Sequence, residues 1–540
     1  MTISSQKTSS DVVPQAQHIV DELDLSPDDI RRVTKHLVQK LKDGLVHDRP
    51  WQLPTYVTNV PTGTEKGRFL AIDLGGSNCR VSMADLHGDS TFTVVQSKHE
   101  VSAAVMVNQR YRPLFDFIAQ KLAEFLDRHL DRRSTSPYRL GFTFSFTCEQ
   151  ESLRSGRLIH WDKGWDIPEA IGRDPCVMLQ ESIDRMGLPV RVAVLANDSV
   201  GTLLTRAYTS GRDVSTLGAV IFGTGTNAAY VEKVRNLQRL RMKSFGGDGI
   251  MVVNTEWGSL DDEMAVLPRT VLDDQLDAAS VDPGCQMLEK RVSGMYLGEI
   301  LRLATRRLVE TGALDMSAEL GSCLLVHHAI DSSLLSQLAT AGDNVGEVIH
   351  CLEKTLSVKK VSPRDARSIQ MIAEAITRRA ARLAGASIAA VIIQSGRLQS
   401  PAKSSAAVKS KTEYAAAISA PILSYKSLCN YTPMFLRRLI DFVRIVCKLP
   451  SWMMPEAAVH ENTLDHTTDT TLDGTIDFGA DGSLIELYPG FEIALREAMR
   501  EVTEIGTIGE QRVQITLTPD GSGVGAALMA YATSLDGEKR

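Results

Sequence analysis

The chain has no run of about 18 apolar residues, the length a helix needs to cross a bilayer. Its first stretch, residues 1–13, is rich in Ser and Thr and lacks the apolar core of a secretory signal. Its eight cysteines, at 79, 148, 176, 285, 323, 351, 429 and 447, include no Cys-x-x-Cys pair. That scatter gives no zinc signature and fits a reducing compartment, so buried packing thiols are expected. Positive charge is also scarce: 59 Lys and Arg stand against 66 Asp and Glu, a formal net charge of −7. Nucleic acid and anionic membrane surfaces are then poor partners. These absences point to a cytoplasmic protein acting on small neutral or metal-bound ligands, with no nucleic acid and no membrane span expected and the oligomeric state open.

What is present is an ordinary folded composition, 43% hydrophobic and 23% charged, over 540 residues. That length exceeds what one growing core supports, so at least two lobes with a cleft between them are expected. Residues 1–14 are expected to be a disordered tail. Ser26-Pro27-Asp28-Asp29 then carries the N-cap, first-turn proline and early acids of a helix start, and Ile30, Val33, Leu37, Leu41 and Leu45 follow at helical spacing. Strand-like runs at 67–73, 80–86 and 91–97 precede a helix over 114–130 and a strand over 139–146. A similar order restarts near Leu217, where an apolar run enters Gly223-Thr224-Gly225-Thr226-Asn227 and continues as a strand over 228–231. Two lobes built on one plan account for the repetition. Residues 283–308 and 368–393 have helical periodicity. Residues 399–475 are Ser/Ala/Lys-rich, then apolar over 434–454, then a Thr/Asp/His run, which reads as an insertion or a gene-model artefact; regular structure resumes at Ile476.

Residues 69–80, Phe-Leu-Ala-Ile-Asp-Leu-Gly-Gly-Ser-Asn-Cys-Arg, are the richest in chemistry. An apolar strand runs into Asp73, which can hold a hydrated magnesium ion, and into Gly75 and Gly76, whose backbone can approach an anion closely. Ser77 and Asn78 add donors and Arg80 a planar fork for phosphate oxygens. Locally the same letters also spell a hairpin turn.

Asn197 and Asp198 follow the apolar strand 192–195, at the carboxyl end where ligand crevices of α/β sheets lie. They read either as a helix-capping pair or as a base, Asp198, that accepts a proton from a substrate hydroxyl while Asn197 orients it. Lys163, between Trp161 and Trp165, is either a solvent lysine or a charge that neutralises a transferring phosphoryl group. Ser145 closes an alternating strand, and the segments around Glu256 and Glu289 add two acids that can equally cap or pair with a cation. Asp520-Gly521-Ser522-Gly523 joins a strand over 514–517 to a small-residue helix, a plain turn or one that brings Ser522 against adenosine or phosphate.

Taken together these stretches resemble the eukaryotic, fungal-type hexokinase family. The likeness covers nearly the whole length: residues 53–57, 61–67, 73–80, 140–146, 197–203, 223–228, 254–258, 283–290, 481–491 and 520–527. The resemblance implies an actin-like ATPase (ribonuclease H-like) fold, α/β, with two lobes hinged around a central cleft: a small domain over 15–208 and a large one over 214–534. It implies transfer of the ATP γ-phosphoryl group to the 6-hydroxyl of a hexose, with Mg²⁺ carried on the nucleotide near Asp73 and no direct protein metal site. By motif, Asp198 is then the general base and Lys163 its catalytic companion. Ser145, Asp162, Lys163, Asn197, Asp198, Asn227, Glu256 and Glu289 hold the sugar. Asp73, Gly75, Gly76, Ser77, Asn78, Arg80, Thr224, Gly225, Gly521 and Ser522 handle the nucleotide.

Two departures stand out. The family usually has Ser-Phe-Pro where this chain has Ser145-Phe146-Thr147, and Trp-Thr-Lys-Gly-Phe where it has Trp161-Asp162-Lys163-Gly164-Trp165. A carboxylate at Asp162 can repel phosphates, pair with Lys163 and depress catalysis, or turn specificity toward an amino or acetamido sugar. Three readings follow: an active hexokinase for glucose or a related hexose, a kinase for an amino sugar or N-acetylglucosamine, and a weakly active or inactive regulator or sugar sensor.

Overall fold

The computed structural model describes residues 12–76, 78–130, 136–240, 249–318, 321–399 and 474–537. Ser77 and nearly all of the expected insertion therefore lie outside the described residues. The chain opens with α1 (Pro14–Leu23) and α2 (Pro27–Val46). Ser26 and Asp29 form a reciprocal capping box at the start of α2, as the sequence there dictates. Val12 and Val13 are already buried, and the Val13 N–H donates to Ser368 Oγ at 3.1 Å, so the end of the segment expected to be a tail is ordered.

After the short β1 (Leu53–Pro54), a five-stranded sheet forms from β2 (Lys66–Leu74), β3 (Asn78–His87), β4 (Phe92–Glu100), β5 (Tyr138–Phe144) and, later in the chain, β8 (Val190–Ala196), in the order β4-β3-β2-β5-β8. The helix α3 (Arg112–His129) precedes β5, a hairpin of β6 (Cys148–Ser152) and β7 (Ser155–Leu158) follows it, and α4 (Pro175–Arg185) leads into β8. The strands β2, β3 and β4 are antiparallel neighbours, whereas β5 runs parallel to β2 and β8 parallel to β5. The helix α5 (Asp198–Ser210) leaves the end of β8 directly.

The second lobe repeats the plan. Its sheet runs β1-β11-β10-β9-β14-β15, from β9 (Thr216–Phe222), β10 (Thr226–Lys233), β11 (Ile250–Asn254), β14 (Ile476–Asp481) and β15 (Val513–Leu517). A two-stranded ladder of β12 (Ser317–Ala318) and β13 (Val358–Lys359) stands apart. Apart from the added β1, each sheet has its third, second, first, fourth and fifth strands in that spatial order, a meander followed by two parallel strands. The helices α6 (Gly294–Glu310), α7 (Pro363–Ser395) and α8 (Phe491–Glu501) share one large core with α1 and α2. The last helix, α9 (Gly521–Gly537), turns back onto β2, β5 and α5 of the first lobe.

This return seals the molecule between its sheets. Ala71, Val194, Val200 and Leu203 from one lobe pack with Ala219, Ala229, Val524 and Ala527 in a single cluster. Small residues are required there: a Cβ on Gly525 would lie 2.1 Å from the Gly201 carbonyl oxygen, and one on Gly141 2.2 Å from that of Ala526.

Two expectations are corrected. Residues 283–308 are not one helix: a turn leads to a single helical turn, Glu289–Val292, and the chain breaks at Ser293 before α6. The break lets the first N–H groups of α6 reach the next loop, with Gly294 N donating to Gly223 O at 2.8 Å and Met295 N to Thr224 O at 3.2 Å. The cysteines are not uniformly buried: Cys79, Cys148 and Cys176 are, but Cys285 is exposed in the turn before Gln286. Among the described residues no helix is long and apolar enough to cross a membrane.

Candidate active site

Asp198 is the first residue of α5 and Asn197 its N-cap, so both readings of this pair hold at once. Asn197 Oδ1 accepts from Ser199 N at 2.9 Å, from Ser199 Oγ at 2.7 Å and from Asn227 Nδ2 at 3.3 Å. Asn227 Nδ2 also donates to Asn254 Oδ1 at 2.9 Å, and Asn254 Nδ2 to Glu256 Oε1 at 2.8 Å. A chain of amides thus joins Asn197 of the first lobe to Glu256 of the second. Asp198 accepts from Ser199 N at 2.7 Å and from the Ser145 hydroxyl. Burial raises its carboxyl above the ordinary range, against the pull of Lys163.

Lys163 is not a solvent lysine. Its side chain is 11% exposed, and Nζ donates to Ser145 O at 2.8 Å, sits 3.5 Å from Asp162 Oδ1 and lies 5.5 Å above the Phe146 ring. Its φ of 54° is left-handed, a strained setting for a side chain with a Cβ. Burial works against its charge, yet Asp162, Glu289, Asp198 and Glu256 together hold it above the usual lysine range. Trp161 and Trp165 stack at 5.6 Å beneath this loop and fix it to Phe146. The same crowd of carboxyls acts on its members: burial lifts Glu256 to about 7 and raises Glu289 as well. Glu289 Oε2 accepts from Thr226 N at 2.8 Å while its Oε1 has no partner.

Ser145, Asp162, Lys163, Asn197, Asp198, Asn227, Glu256 and Glu289 line one pocket. Its volume of about 20 Å³ is room for about one water molecule. Admitting a larger molecule requires Lys163 or one lobe to move aside.

A second cavity, about 340 Å³, adjoins it and is lined by Asp73, Gly75, Gly76, Asn78, Arg80, Thr224, Gly225 and Ser522, and by Asp481, Ser483 and Glu486. Ser145, Lys163, Asp198, Ile221 and Gly225 belong to the walls of both. Asp73, next to last in β2, pairs with Arg80 of β3, and its Oδ2 accepts from Arg80 Nη1 and from Ser522 Oγ, each at 2.9 Å. Burial raises Asp73, and it lifts Asp481 to about 6, with Asp73 and Asp198 adding to the second shift. Gly521 packs against Thr202 and lies behind the wall rather than in it. Among the described residues no group of three His, Cys, Asp or Glu is placed to hold a metal directly. The carboxylates of Asp73 and Asp198 beside Arg80 suit a hydrated cation that arrives already bound to phosphate oxygens.

Past Gly223 and Thr224 a third cavity of about 460 Å³ opens, lined by Met295, Ile330, Leu484, Leu487 and polar residues that include His328 and Ser336. Of this wall sequence reasoning assigns only Thr224, and although it names the stretches 254–258, 283–290 and 481–491 it gives no role to Asn254, Gln286 or Asp481. Only Asp481, an acid before glycine at the end of an apolar strand, carried a local signal.

Two matching lobes, with a buried aspartate beside a lysine and a glycine-lined cavity adjoining them, make up the actin-like ATPase fold. Comparison with known proteins sharpens this. Two models of one family, each described as hexokinase, match residues 15–208 and 217–532. The glucokinase of Aspergillus niger is 37% identical, with 98% of this chain and 99% of that protein covered. Glucokinase-1 of Saccharomyces cerevisiae is 31% identical over 97% of this chain and 98% of that protein. The hexokinase of Schistosoma mansoni, solved with glucose, superposes with a TM-score of 0.74 at 28% identity, covering 96% of this chain and 98% of that one. The chain belongs to the hexokinase family, and is thus a sugar kinase.

Proposed function

We propose that this chain transfers the γ-phosphoryl group of ATP to the 6-hydroxyl of glucose or a related hexose. One observation carries the reading: Asp198, Lys163 and Ser145 stand in the wall shared by the small pocket and the glycine-lined cavity. A hydroxyl held in the first is then next to a phosphate held in the second. Asp198 accepts the hydroxyl proton, and its raised carboxyl is the stronger base for it. Lys163 balances the charge that develops on the phosphoryl oxygens. Ser145, Asn197, Asn227, Glu256 and Glu289 fix the remaining hydroxyls, each of which costs about 1–3 kcal/mol if buried without a partner. Glu256, its carboxyl lifted by burial to about 7, can both donate and accept.

The backbone at Gly75, Gly76, Thr224 and Gly225, with Ser77, Asn78, Arg80 and Ser522, would hold the triphosphate, and Gly521 would serve only by seating Ser522 against Thr202. Asp73 would anchor the hydrated Mg²⁺, which neutralises phosphate charge when bound. The apolar wall of Met295, Ile330, Leu484 and Leu487 suits the adenosine. The catalytic cleft lies between the lobe of the β4-β3-β2-β5-β8 sheet and the lobe of the second sheet; packing crosses the expected boundaries of 15–208 and 214–534, because α1, α2 and β1 join the large lobe and α9 returns to the small one. A cytoplasmic location fits the substrates. The sensor reading loses support from the presence of every charge the transfer needs within one connected site.

The test is the position of the new bond. Incubation with MgATP and glucose should give product phosphorylated only at carbon 6 by ³¹P–¹H correlation, and 6-deoxyglucose should bind without consuming ATP. Phosphate on carbon 1, or ATP consumption driven by 6-deoxyglucose, overturns the proposal.

A further inference from the structure

We propose that Asp162 makes this pocket selective for hexoses bearing an exocyclic ammonium group, that is, for amino sugars of the glucosamine kind over neutral hexoses. The inference rests on the sugar-kinase reading of the pocket and names its substrate class.

The geometry around Asp162 leaves one carboxyl oxygen without a hydrogen bond. The residue is 5% exposed and lines the small pocket, yet its Oδ1 has no hydrogen-bond partner. The ammonium beside it is shared: Lys163 Nζ makes its short contact, 2.8 Å, with Ser145 O, and stands 3.5 Å from Asp162 Oδ1. Lys163 also faces Asp198, Glu256 and Glu289, so four carboxyls surround a single lysine. Burial raises the Asp162 carboxyl above the ordinary range and Asp282 adds to the rise, while Lys163 and His160 favour its ionised form, so an incoming cation would relieve a carboxyl that is costly to ionise. Asp162 in turn disfavours the ionised forms of Asp198, Glu256 and Glu289.

A neutral hexose would enter this pocket without relieving the excess. It would offer Asp162 a hydroxyl, where the threonine usual in the resembling family is equally served. A substituent that brings its own positive charge gives the free oxygen a charge-assisted donor and lowers the mutual repulsion of the four acids. An acetamido group does neither, because acylation removes the charge, so N-acetylglucosamine falls on the neutral side of the distinction.

The test reads binding apart from turnover. Trp161 and Trp165 flank Asp162, so their fluorescence reports occupancy. Dissociation constants for glucosamine, glucose and N-acetylglucosamine are compared in the wild type at pH 6.5 and pH 9, and in Asp162→Asn and Asp162→Thr. The proposal expects the glucosamine-to-glucose affinity ratio to fall about tenfold in either variant, the worth of one hydrogen bond to a charged group. It expects the same fall in the wild type at pH 9, where the ammonium is lost, and no change in the N-acetylglucosamine-to-glucose ratio. A glucosamine ratio unmoved by substitution and by pH overturns it, as does a wild type that binds no glucosamine. The pH arm needs no variant to fold. ADP release in the same samples separates the two claims: a ratio that shifts as expected without ATP turnover on any sugar removes the kinase reading and leaves the role of Asp162 standing.

Discussion

Ser522 Oγ donates to Asp73 Oδ2 at 2.9 Å across 449 positions of sequence. The contact ties the first turn of α9 to the end of β2, and Arg80 Nη1 donates to the same oxygen. Two donors on one oxygen orient the carboxylate and leave its other oxygen for a hydrated cation. Ser522→Ala should therefore raise KM for MgATP roughly tenfold, as expected for one bond to a charged group, while leaving sugar affinity within about twofold. Steady-state titration of each substrate at saturation of the other checks it.

Removing the base should separate binding from chemistry. Asp198→Asn keeps the helix cap, which belongs to Asn197, and should lower kcat by about 10²–10⁴-fold, the usual contribution of a general base. Sugar affinity from tryptophan fluorescence should stay within a few-fold.

The ligand-free protein should be destabilised by alkali across the neutral range. Glu256 has its pKa raised from 4.5 to about 7, so the folded chain binds this proton more tightly than the unfolded one. Stability from this group is complete below about pH 4.5 and lost as pH rises through about 7. Glu289, raised in the same direction, extends the loss. Melting temperature without ligand should fall between pH 5 and pH 8, and Glu256→Gln should flatten that slope and melt higher than wild type at pH 8.

The glycine contact between α5 and α9 should tolerate no side chain. In Gly525→Ala the new methyl would meet the Gly201 carbonyl at 2.1 Å, with backbone rather than a movable side chain in the way. The loss should be about 3 kcal/mol or more, at the upper end for overpacking, and urea unfolding midpoints measure it.

The strands and turns were legible where the sequence carries its own geometry. The alternation into Asp73 and two glycines, the capping box at Ser26 and the repeat of that order at Leu217 all act over a few residues. So the paired lobes and most of the two cavity walls could be named in advance. The burial of Lys163 could not, because two of the four acids that hold it, Glu256 and Glu289, lie in the other lobe, and locally it reads equally as a solvent lysine. The return of α9 to the first lobe was hidden for a similar reason: a small-residue helix announces close packing but not its partner. The break at Ser293 follows from the docking of Gly294 on Gly223, which no periodicity contains. The apolar cavity beside Thr224 is assembled from separate elements whose residues are each unremarkable, so no motif marks it.

The central claim is that Asp198 and Lys163, standing between a sugar pocket and a phosphate cavity, make this chain a working hexose kinase. Steady-state ADP release by the purified chain with MgATP and glucose or glucosamine, run beside Asp198→Ala, tests it most directly. The account predicts sugar-dependent release that falls at least about a hundredfold in the variant. Release that is independent of sugar, or equal in the two proteins, would contradict it.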